Sequence, residues 1–538
     1  MKIKSLLIGM LASTAFVACT NDESPVNNEQ AVAGGEKQYV AVNIVTPNSV
    51  GSRATFEAGL PDEVKVKDAI FLFLDGNYNG CAEPYYTTNF IWDGDATGEG
   101  QDKKKTVLVV EGKKDEVPAY ILAILNPINK NQFTANTSLQ NVKDFYAQFA
   151  NSTDYLVMSN AVYADNNGKE VAATPITLAN ISDNANDALS NPVTIQVERV
   201  VGKVIVNKLA SAIEDLNQTG LTDKIDDQEN LKLKFVLTGW EVLQNKGSYQ
   251  IKNIDATNWT ISNWNDATLK RTYWANDFTS KGRTSYDVTK MTNTAFKYVE
   301  ETVNQVPQAK DHKDMVSPYV LVSGYFADEE GEAVDLVEWR GQKYTKAGYL
   351  NFIAGNPEIS QYYTATTTGE GDAAVTTYTS FSADLLKLQD NEENDWGANA
   401  VLKDENTEFY TVTFKADGKT IDKATKVTVA EGETNPVANA IASFGEVLYW
   451  NGGNAYYYTP ILHQTDETEN GKNNYYGVVR NHAYNINITK IQGYGTPVAE
   501  PNQLIDQPEK PNEGSTFLAA EIVVLDWRVI SNDVTLGE

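Results

Sequence analysis

The chain is poor in the residues that cross-link a fold or bind metals. Among 538 residues there are only two cysteines and three histidines. Two cysteines allow at most one disulfide, so the stability of so long a chain has to come from core packing. The histidines, His312, His463 and His482, lie in separate segments with no second histidine or cysteine at ligand spacing. This spacing argues against a zinc site.

Signatures of catalysis are also missing. The sequence contains no phosphate-binding loop, no G-x-S-x-G elbow and no dinucleotide-binding glycine pattern, which argues against those enzyme classes. Residues 93–99 and 165–168 faintly resemble calcium loops, but the first lacks the closing glutamate and the second has its glycine misplaced, so we interpret both as turns. We predict no enzyme, no cofactor, no metal and no catalytic residue. Only the paired carboxylates of a glycosidase stay open, because they cannot be singled out among 72 acidic residues.

Positive charge is scarce. There are 44 lysines and arginines against 72 aspartates and glutamates, which gives a formal net charge of -28 and a pI of about 4.6. A surface this acidic repels phosphate groups. The composition therefore argues against nucleic acid and anionic membrane surfaces as partners.

Long helical periodicity is hard to find, whereas short alternating segments are common. Aromatic residues make up 10% of the chain, and 28 of them are tyrosines, which favours strands. We predict an all-β fold of two β-sandwich (transthyretin-like, Greek-key) domains in series, with short helices in loops and a C-terminal donor strand. The N-terminal sandwich is expected over residues 54–209 and the C-terminal one over 210–496.

Within this frame, several segments carry specific predictions. Residues 193–206 alternate and predict one long strand, and 141–150 predict a short helix. Residues 318–325 and 409–414 are candidates for central strands, whereas 356–374 are predicted to be a long polar loop.

The first 18 residues are typical of a lipoprotein signal peptide. Lys2 and Lys4 precede an apolar stretch that is too short to span a bilayer. Ala18 stands before Cys19, as in a bacterial lipobox, which predicts cleavage before Cys19 and its acylation, for example with palmitate. The alternative is an ordinary secretory signal with an incidental cysteine. Residues 19–53 are then a propeptide that carries the lipid anchor, a tether and the first strand.

That first strand is followed by an exposed loop. Val40, Val42 and Ile44 lie on one face of the predicted strand 39–45, and small and polar residues surround Arg53. A trypsin-like cut after Arg53 makes Ala54 the new N-terminus and removes the strand with the lipid. The alternative is an inert surface loop, and the sequence favours neither.

The chain ends in an apolar strand behind a Pro-rich tether, together residues 497–538. The apolar side chains of this strand are Leu518, Ile522, Val523, Val524, Leu525, Trp527 and Val529. A strand this apolar has to be buried, and the tether allows burial in its own molecule or in a neighbour. We interpret it as a donor strand that is handed to a neighbouring copy.

Several of these segments together resemble a known family. Val478–Tyr484, followed by Ile486, Ile488, Ile491 and the Gly493-Tyr494-Gly495 turn, resembles the "VRN-x-x-Y … I-x-x-I-x-G-x-G" signature of Bacteroidia fimbrillins. The sequence similarity extends to Val529 and also includes Val197–Val200, Cys19 and the Arg53 loop. It is closest to the Mfa-type shaft subunits of minor fimbriae within the FimA/Mfa group, and it is weak in the middle of the chain.

The resemblance implies a mechanism of assembly. Such subunits reach the outer membrane as lipoproteins, an Arg-specific trypsin-like protease cuts the loop, and loss of the first strand opens a groove that the C-terminal strand of another subunit fills. The expected partners are copies of the same chain, other fimbrial subunits (anchor and tip), the protease, and the outer membrane through the lipid. The expected location is the outer membrane for the precursor and the extracellular fimbrium for the mature form, where it supports cell adhesion.

Two other functions compete with that of a shaft subunit. A surface lipoprotein could bind glycans through Trp450 and Tyr456–Tyr458, although core packing is the commoner use of such residues. An anchor or tip subunit of the same fimbria is a nearer variant, but the joint presence of Arg53 and a tethered strand favours the shaft.

Overall fold

The computed structural model of the chain describes part of its length. The described residues are 37–45, 63, 65–92, 103–111, 118–127, 129, 131–148, 155–164, 170–208, 231–243, 248–251, 265–266, 271–272, 285–287, 290–303, 318–391, 394–430, 432–466, 473–491, 493–500, 504–506, 518–523 and 528–529. Strands dominate them, and the predicted all-β class is confirmed.

The first part of the chain forms one large curled sheet. Its strands and the short ones near it are β1 Lys37–Val45, β2 Ala69–Leu74, β3 Tyr85–Thr87, β4 Ile91–Trp92, β5 Lys103–Glu111, β6 Tyr120–Leu125, β7 Tyr146–Gln148, β8 Met158–Asn160, β9 Tyr163–Ala164, β10 Glu170–Val171, β11 Thr174–Pro175, β12 Ile181–Ser182 and β13 Val193–Arg199. The order is β3-β2-β6-β8-β13-β1-β5-β4, with β11 on β6 and β12 on β1. Every residue of β2 is buried, as its unbroken apolar run requires.

The remaining strands follow in chain order. They are β14 Val201–Lys208, β15 Lys234–Leu243, β16 Ser248–Gln250, β17 Asn265–Asp266, β18 Arg271–Thr272, β19 Ser285–Asp287, β20 Lys297–Glu300, β21 Thr302–Val303, β22 Tyr319–Ala327, β23 Leu336–Trp339, β24 Gln342–Thr345, β25 Tyr362–Thr368, β26 Val375–Ser380, β27 Leu386–Asn391, β28 Asn394–Leu402, β29 Tyr410–Phe414, β30 Ile421–Lys426, β31 Val447–Trp450, β32 Asn454–Pro460, β33 Leu462–Asp466, β34 Asn473–Val478, β35 His482–Ile491, β36 Thr496–Pro497, β37 Leu504–Asp506, β38 Leu518–Val523 and β39 Arg528–Val529.

Two of the later sheets pack face to face as a sandwich. The first has the order β20-β14-β35-β38 and the second β15-β22-β32-β36. Their inner faces share one core that contains Tyr484 and Ile486 from the first sheet and Phe235, Trp240 and Val322 from the second. β22 covers the segment predicted as a central strand at 318–325, and it lies inside its sheet.

A third unit with a core of its own is inserted between β22 and β32. Its sheet has the order β24-β23-β31-β28-β27, and three of the helices pack on it. The α-helices of the described residues are α1 Leu139–Asp144, α2 Ala185–Ala188, α3 Lys346–Ala354, α4 Pro357–Ser360 and α5 Pro436–Ala442. Tyr349, Ile353 and Ile441 are buried between α3, α5 and the sheet. The region predicted as one C-terminal sandwich thus contains more than one core, since the core of the third unit is separate from that of the sandwich.

The third unit also carries two exposed hairpins. They form the sheet β26-β25-β29-β30. Residues 356–374, predicted as a polar loop, contain α4 and β25, and residues 409–414, predicted as a central strand, form β29 in this exposed sheet. Both differences have one cause. The threonine-rich strands of this sheet have solvent on both faces, so their sequences lack the alternation of apolar and polar residues that a buried face produces.

Two other predictions are corrected by local contacts. The helix expected at 141–150 begins earlier, where Ser138 caps it, and ends at Asp144, because Phe145 turns extended and the chain enters β7, which pairs with β16. The single strand expected at 193–206 is two strands in different sheets. β13 ends at Arg199 and β14 begins at Val201.

Candidate assembly site

The first strand lies in the middle of the N-terminal sheet. β1 pairs antiparallel with β5 over nine residues, from Lys37↔Glu111 to Val45↔Lys103. On its other side it pairs parallel with β13 and antiparallel with the short β12. Removing β1 would therefore uncover two facing rows of backbone donors and acceptors.

Three apolar side chains of β1 belong to the core. Val40, Val42 and Ile44 are buried among Phe71, Leu108 and other core residues, which stabilises the sheet by about 5–9 kcal/mol in total as an upper estimate. One polar group opposes this gain: Asn43 Oδ1 is buried without a hydrogen-bond partner among the described residues. Such an orphan costs about 1–3 kcal/mol.

The C-terminal strand lies against its own molecule. β38 pairs antiparallel with β35, from Ile491↔Leu518 to Asn485↔Val523. β39, which contains Val529, pairs parallel with the start of β35. Within the described residues β38 is paired on one side only, at the edge of its sheet.

The two halves of the chain meet where β13 passes into β14. Only Val200 separates the two strands, and its N–H donates to Val157 O in the N-terminal part. β14 then pairs with β20 on one side and with β35 on the other. A strand of the N-terminal sheet thus continues directly into the sandwich.

Glu63 fixes the start of the described N-terminal part to this junction. Its fully buried side chain accepts hydrogen bonds at Oε1 from Lys203 Nζ at 2.6 Å and from the Tyr298 hydroxyl at 2.8 Å, and its backbone oxygen accepts from Arg199 Nε at 3.0 Å. Burial alone would raise the pKa of the Glu63 carboxyl. The hydrogen bond and charge of Lys203, with help from Tyr298 and Arg199, outweigh burial and lower that pKa.

A second buried ion pair supports the turn between β34 and β35. Arg480 Nε and Nη2 each lie 2.6 Å from Glu301 Oε2, and both side chains are almost completely buried. The backbone N–H of Arg480 also donates to Glu301 Oε1. Because each of these two buried charges is compensated by the other, the pair fixes this turn next to β20 and β21.

The next residues of the turn join the two halves. Asn481 has a positive φ of 56°, which asparagine tolerates better than most residues. Its N–H donates to Val201 O at 2.8 Å, and its Oδ1 accepts from Arg199 Nη1 at 3.0 Å. The buried Tyr484 hydroxyl accepts from the N–H of Val479 at 2.7 Å. Each fixed residue of the "VRN-x-x-Y" pattern thus has a defined contact.

Two glycines allow close packing in the same region. A Cβ on Gly202 would lie 2.3 Å from Val478 Cγ1, so β14 can approach the β34–β35 turn only with glycine at this position. Gly495 has a φ of +62°, and a Cβ there would lie 2.8 Å from Tyr456 O. Of the two glycines in the C-terminal pattern, Gly495 is therefore required by both its positive φ and the close approach of Tyr456, whereas Gly493 has a positive φ of +108° and open space around it.

The structure describes only part of the predicted site. Cys19, Arg53 and Ala54 lie outside the described residues, as do Val524, Leu525 and Trp527 of the donor strand and the two calcium-like stretches. Leu518, Ile522 and Val523 lie in β38. The described residues contain no group of three or more potential metal ligands. Among them, no helix has the length and apolar character needed to cross a membrane.

The aromatic run considered as a sugar platform is largely buried. Trp450, Tyr456 and Tyr457 are each at most 6% exposed, and Tyr457 packs edge-on against Phe235 with ring centroids 5.3 Å apart. Their polar atoms are used internally, since the Tyr457 hydroxyl donates to Gly493 O. These residues form core and do not present a stacking surface.

Sequence reasoning missed the charged residues of the junction. Glu63, Lys203 and Glu301 were not singled out, although a signal existed. Arg199 and Lys203 interrupt an otherwise apolar alternation, and a charge at an inward position has to be paired. Their partners could not be read from the sequence, because Glu63 and Lys203 are 140 residues apart.

The fold and the junction define an all-β protein built of packed sheets that buried ion pairs join. Residues 448–533 match the family described as major fimbrial subunit protein type IV, fimbrillin, C-terminal. The resemblance of the C-terminal region to fimbrillins is thereby confirmed, and the match supports a role as a fimbrial subunit. Fimbrial subunits usually act at the cell surface together with other fimbrial subunits.

Other comparisons add no argument to this match. No curated protein matches the chain. Among solved structures it is similar to the tip fimbrial protein Mfa3 from Porphyromonas gingivalis with C-terminal truncation, at 12% identity, covering 64% of this chain and 99% of that one with a TM-score of 0.25. A fimbrial assembly protein from Parabacteroides distasonis shows 12% identity, 73% and 99% coverage and a TM-score of 0.28. Scores this low carry no argument about function.

Proposed function

We propose that the chain is the shaft subunit of a cell-surface fimbria that polymerises by strand exchange and supports adhesion. Residues 1–18 act as the signal peptide, and Cys19 carries the lipid that holds the precursor at the outer membrane. A trypsin-like Arg-specific protease cuts between Arg53 and Ala54. The subunit itself has a structural role and catalyses no reaction.

The observation that carries the proposal is the position of β1. A strand with partners on both sides and with Val40, Val42 and Ile44 in the core leaves a complete groove when it departs. Glu63, a few residues beyond the proposed cut, is fixed to Lys203 and Tyr298. These contacts favour retention of the remaining sheet after the propeptide is lost.

The donor is the C-terminal strand. Its apolar side chains, Leu518, Ile522, Val523, Val524, Leu525, Trp527 and Val529, suit a groove that previously held valine and isoleucine. β38 and β39 both pair with β35 alone, so transfer of the donor strand gives up pairing with one strand, whereas insertion between β5 and β13 creates pairing with two. This difference favours exchange over the unexchanged state.

The test uses full-length precursor treated with an Arg-specific protease. Filaments with Ala54 at the mature N-terminus are expected by electron microscopy and N-terminal sequencing. Arg53→Gln should block both cleavage and filaments. A chain without residues 516–538 should be cut normally but form no filaments. Filaments that retain residues 39–45, or that form without 516–538, would overturn the proposal.

A further inference from the structure

The two hairpins of the third unit extend in opposite directions. β25 pairs with β29 only at Tyr362↔Thr411 and Tyr363↔Tyr410. From this shared base β25 continues to Thr368 and turns back into β26, while β29, being antiparallel, continues the other way and turns back into β30. At about 3.3 Å per residue, the two hairpin ends lie about 30 Å apart.

The hairpins also carry opposite charge. Residues 362–380, the acidic hairpin, contain Glu370 and Asp372 and no lysine or arginine, a net charge of -2. Residues 409–427, the basic hairpin, contain four lysines and two aspartates, so 4 - 2 = +2. Together they are neutral, within a chain whose net charge of -28 makes copies repel one another.

Among the described residues, most of this charge has no ion-pair partner. At the base of the basic hairpin Lys426 forms an ion pair with Glu408, and the Asp417 carboxylate accepts from the N–H groups of Lys419 and Thr420 in its own turn. Among the described residues, no ion pair involves the side chains of Glu370, Asp372, Lys415, Lys419 or Lys423. These groups are available to a second molecule.

The strands themselves are open to pairing. Neither β25 nor β26 contains a charged residue, Val375 on β26 is 61% exposed and Phe414 on β29 is 45% exposed. Within the described residues, the outer edge of β26 has no partner strand. Charged side chains are the usual protection of a free edge, and an isolated two-stranded ribbon is only marginally stable in water.

We infer that the acidic hairpin of one copy binds the basic hairpin of a second copy of this chain through their opposite charges. Two different surfaces meet, so the contact is heterologous and can repeat from copy to copy. One chain cannot make it alone, because its two hairpin ends point apart. The contact goes beyond the proposed function, since it links copies without the C-terminal strand.

Zero-length carbodiimide cross-linking tests the contact directly. Full-length chains, one half labelled with ¹⁵N, are assembled, cross-linked and digested. Glu370 or Asp372 should be joined to Lys415, Lys419 or Lys423 in peptides of mixed isotope composition. Filaments that assemble without such a cross-link would overturn the inference.

Charge reversal sharpens the test. Because like charges repel, E370K/D372K should weaken association of the chains, measured by sedimentation velocity at low salt, by about tenfold or more. The full swap E370K/D372K/K415E/K419E/K423E should restore association. E330K/E332K changes charge equally on another exposed turn and should associate as the wild type does. Equal association of E370K/D372K and this control would refute the contact.

This design separates the two proposals. If protease treatment yields no filaments, the proposed function fails, but salt-sensitive association of the uncut chain still reports on the hairpins. A wild-type chain that shows no such association, and no mixed-isotope cross-link, would overturn the hairpin contact alone.

Discussion

Two ion pairs in this molecule have the same chemistry in opposite surroundings. Arg480 and Glu301, at the junction of the two halves, have side chains that are 1% and 0% exposed. Lys426 and Glu408, at the base of the basic hairpin, have side chains that are 50% and 58% exposed. Water and salt screen the second pair but not the first.

The difference shows where the molecule has to be fixed and where it does not. A buried ion that loses its partner has no compensating charge, so removing one charged side chain at the junction should strongly lower the free energy of unfolding. An exposed ion that loses its partner is solvated, so the hairpins can change charge at little cost to the fold. Four substitutions test this contrast, beginning with the largest expected effect.

Arg480→Ala should lower the free energy of unfolding by about 3–5 kcal/mol, because it leaves the Glu301 carboxylate buried without its partner. Urea denaturation followed by circular dichroism measures the change. The matched variant R480M/E301M removes both charges and should be destabilised less than Arg480→Ala. If R480M/E301M lost more free energy of unfolding than Arg480→Ala, the pair would not be isolated from water.

Gly202→Ala should cost about 1–3 kcal/mol, since the added Cβ meets Val478 Cγ1 at 2.3 Å. The second substitution Val478→Ala removes that methyl group and should recover part of the loss in a double-mutant cycle. Strictly additive effects in the same urea titration would contradict the close approach of β14 to the β34–β35 turn.

Glu63→Gln should destabilise the protein by about 1–3 kcal/mol at neutral pH, because it removes the charged acceptor of Lys203 and Tyr298. The folded-state pKa of Glu63 lies below its usual value of 4.5. Its contribution is therefore complete above about pH 4.5 and is lost as the pH falls through the folded pKa. Thermal melts from pH 7 to pH 3 should show wild type and variant converging, and a constant gap would argue against an ionised Glu63.

Lys426→Ala should leave the urea midpoint unchanged within error, because its ion pair with Glu408 is exposed and screened. The comparison with Arg480→Ala holds only if this effect is the smallest of the four. A loss as large as that of Gly202→Ala would mean that the hairpin base is structurally as important as the junction.

Local pattern predicted those parts of the fold that bury one or both faces of a strand. The strands at 39–45 and 318–325 were recognised because apolar runs and alternation report burial directly. The hairpin strand at 362–368 was not, since it has no buried face to leave a pattern. The separate core of the third unit was missed for another reason: which apolar strands share a core depends on long-range contacts that no local period encodes.

The residues of the candidate site fall into the same two groups: those that a local sequence pattern predicts and those that depend on long-range contacts. β1 and β38 were found from their apolar side chains, and Asn481 and Tyr484 from the motif that contains them. The partners of the motif, Arg199 and Glu301, are distant in sequence and could be identified only in three dimensions. Charge within a buried strand indicates that a partner exists but not which residue it is.

The single residue between β13 and β14 has a mechanical consequence. Tension applied to the N-terminal sheet along β13 passes through Val200 into β14, and from there into the parallel ladder with β35 as shear. No flexible linker separates the two strands at this point. A rod built from such units should bend at the joints between molecules before it bends within them.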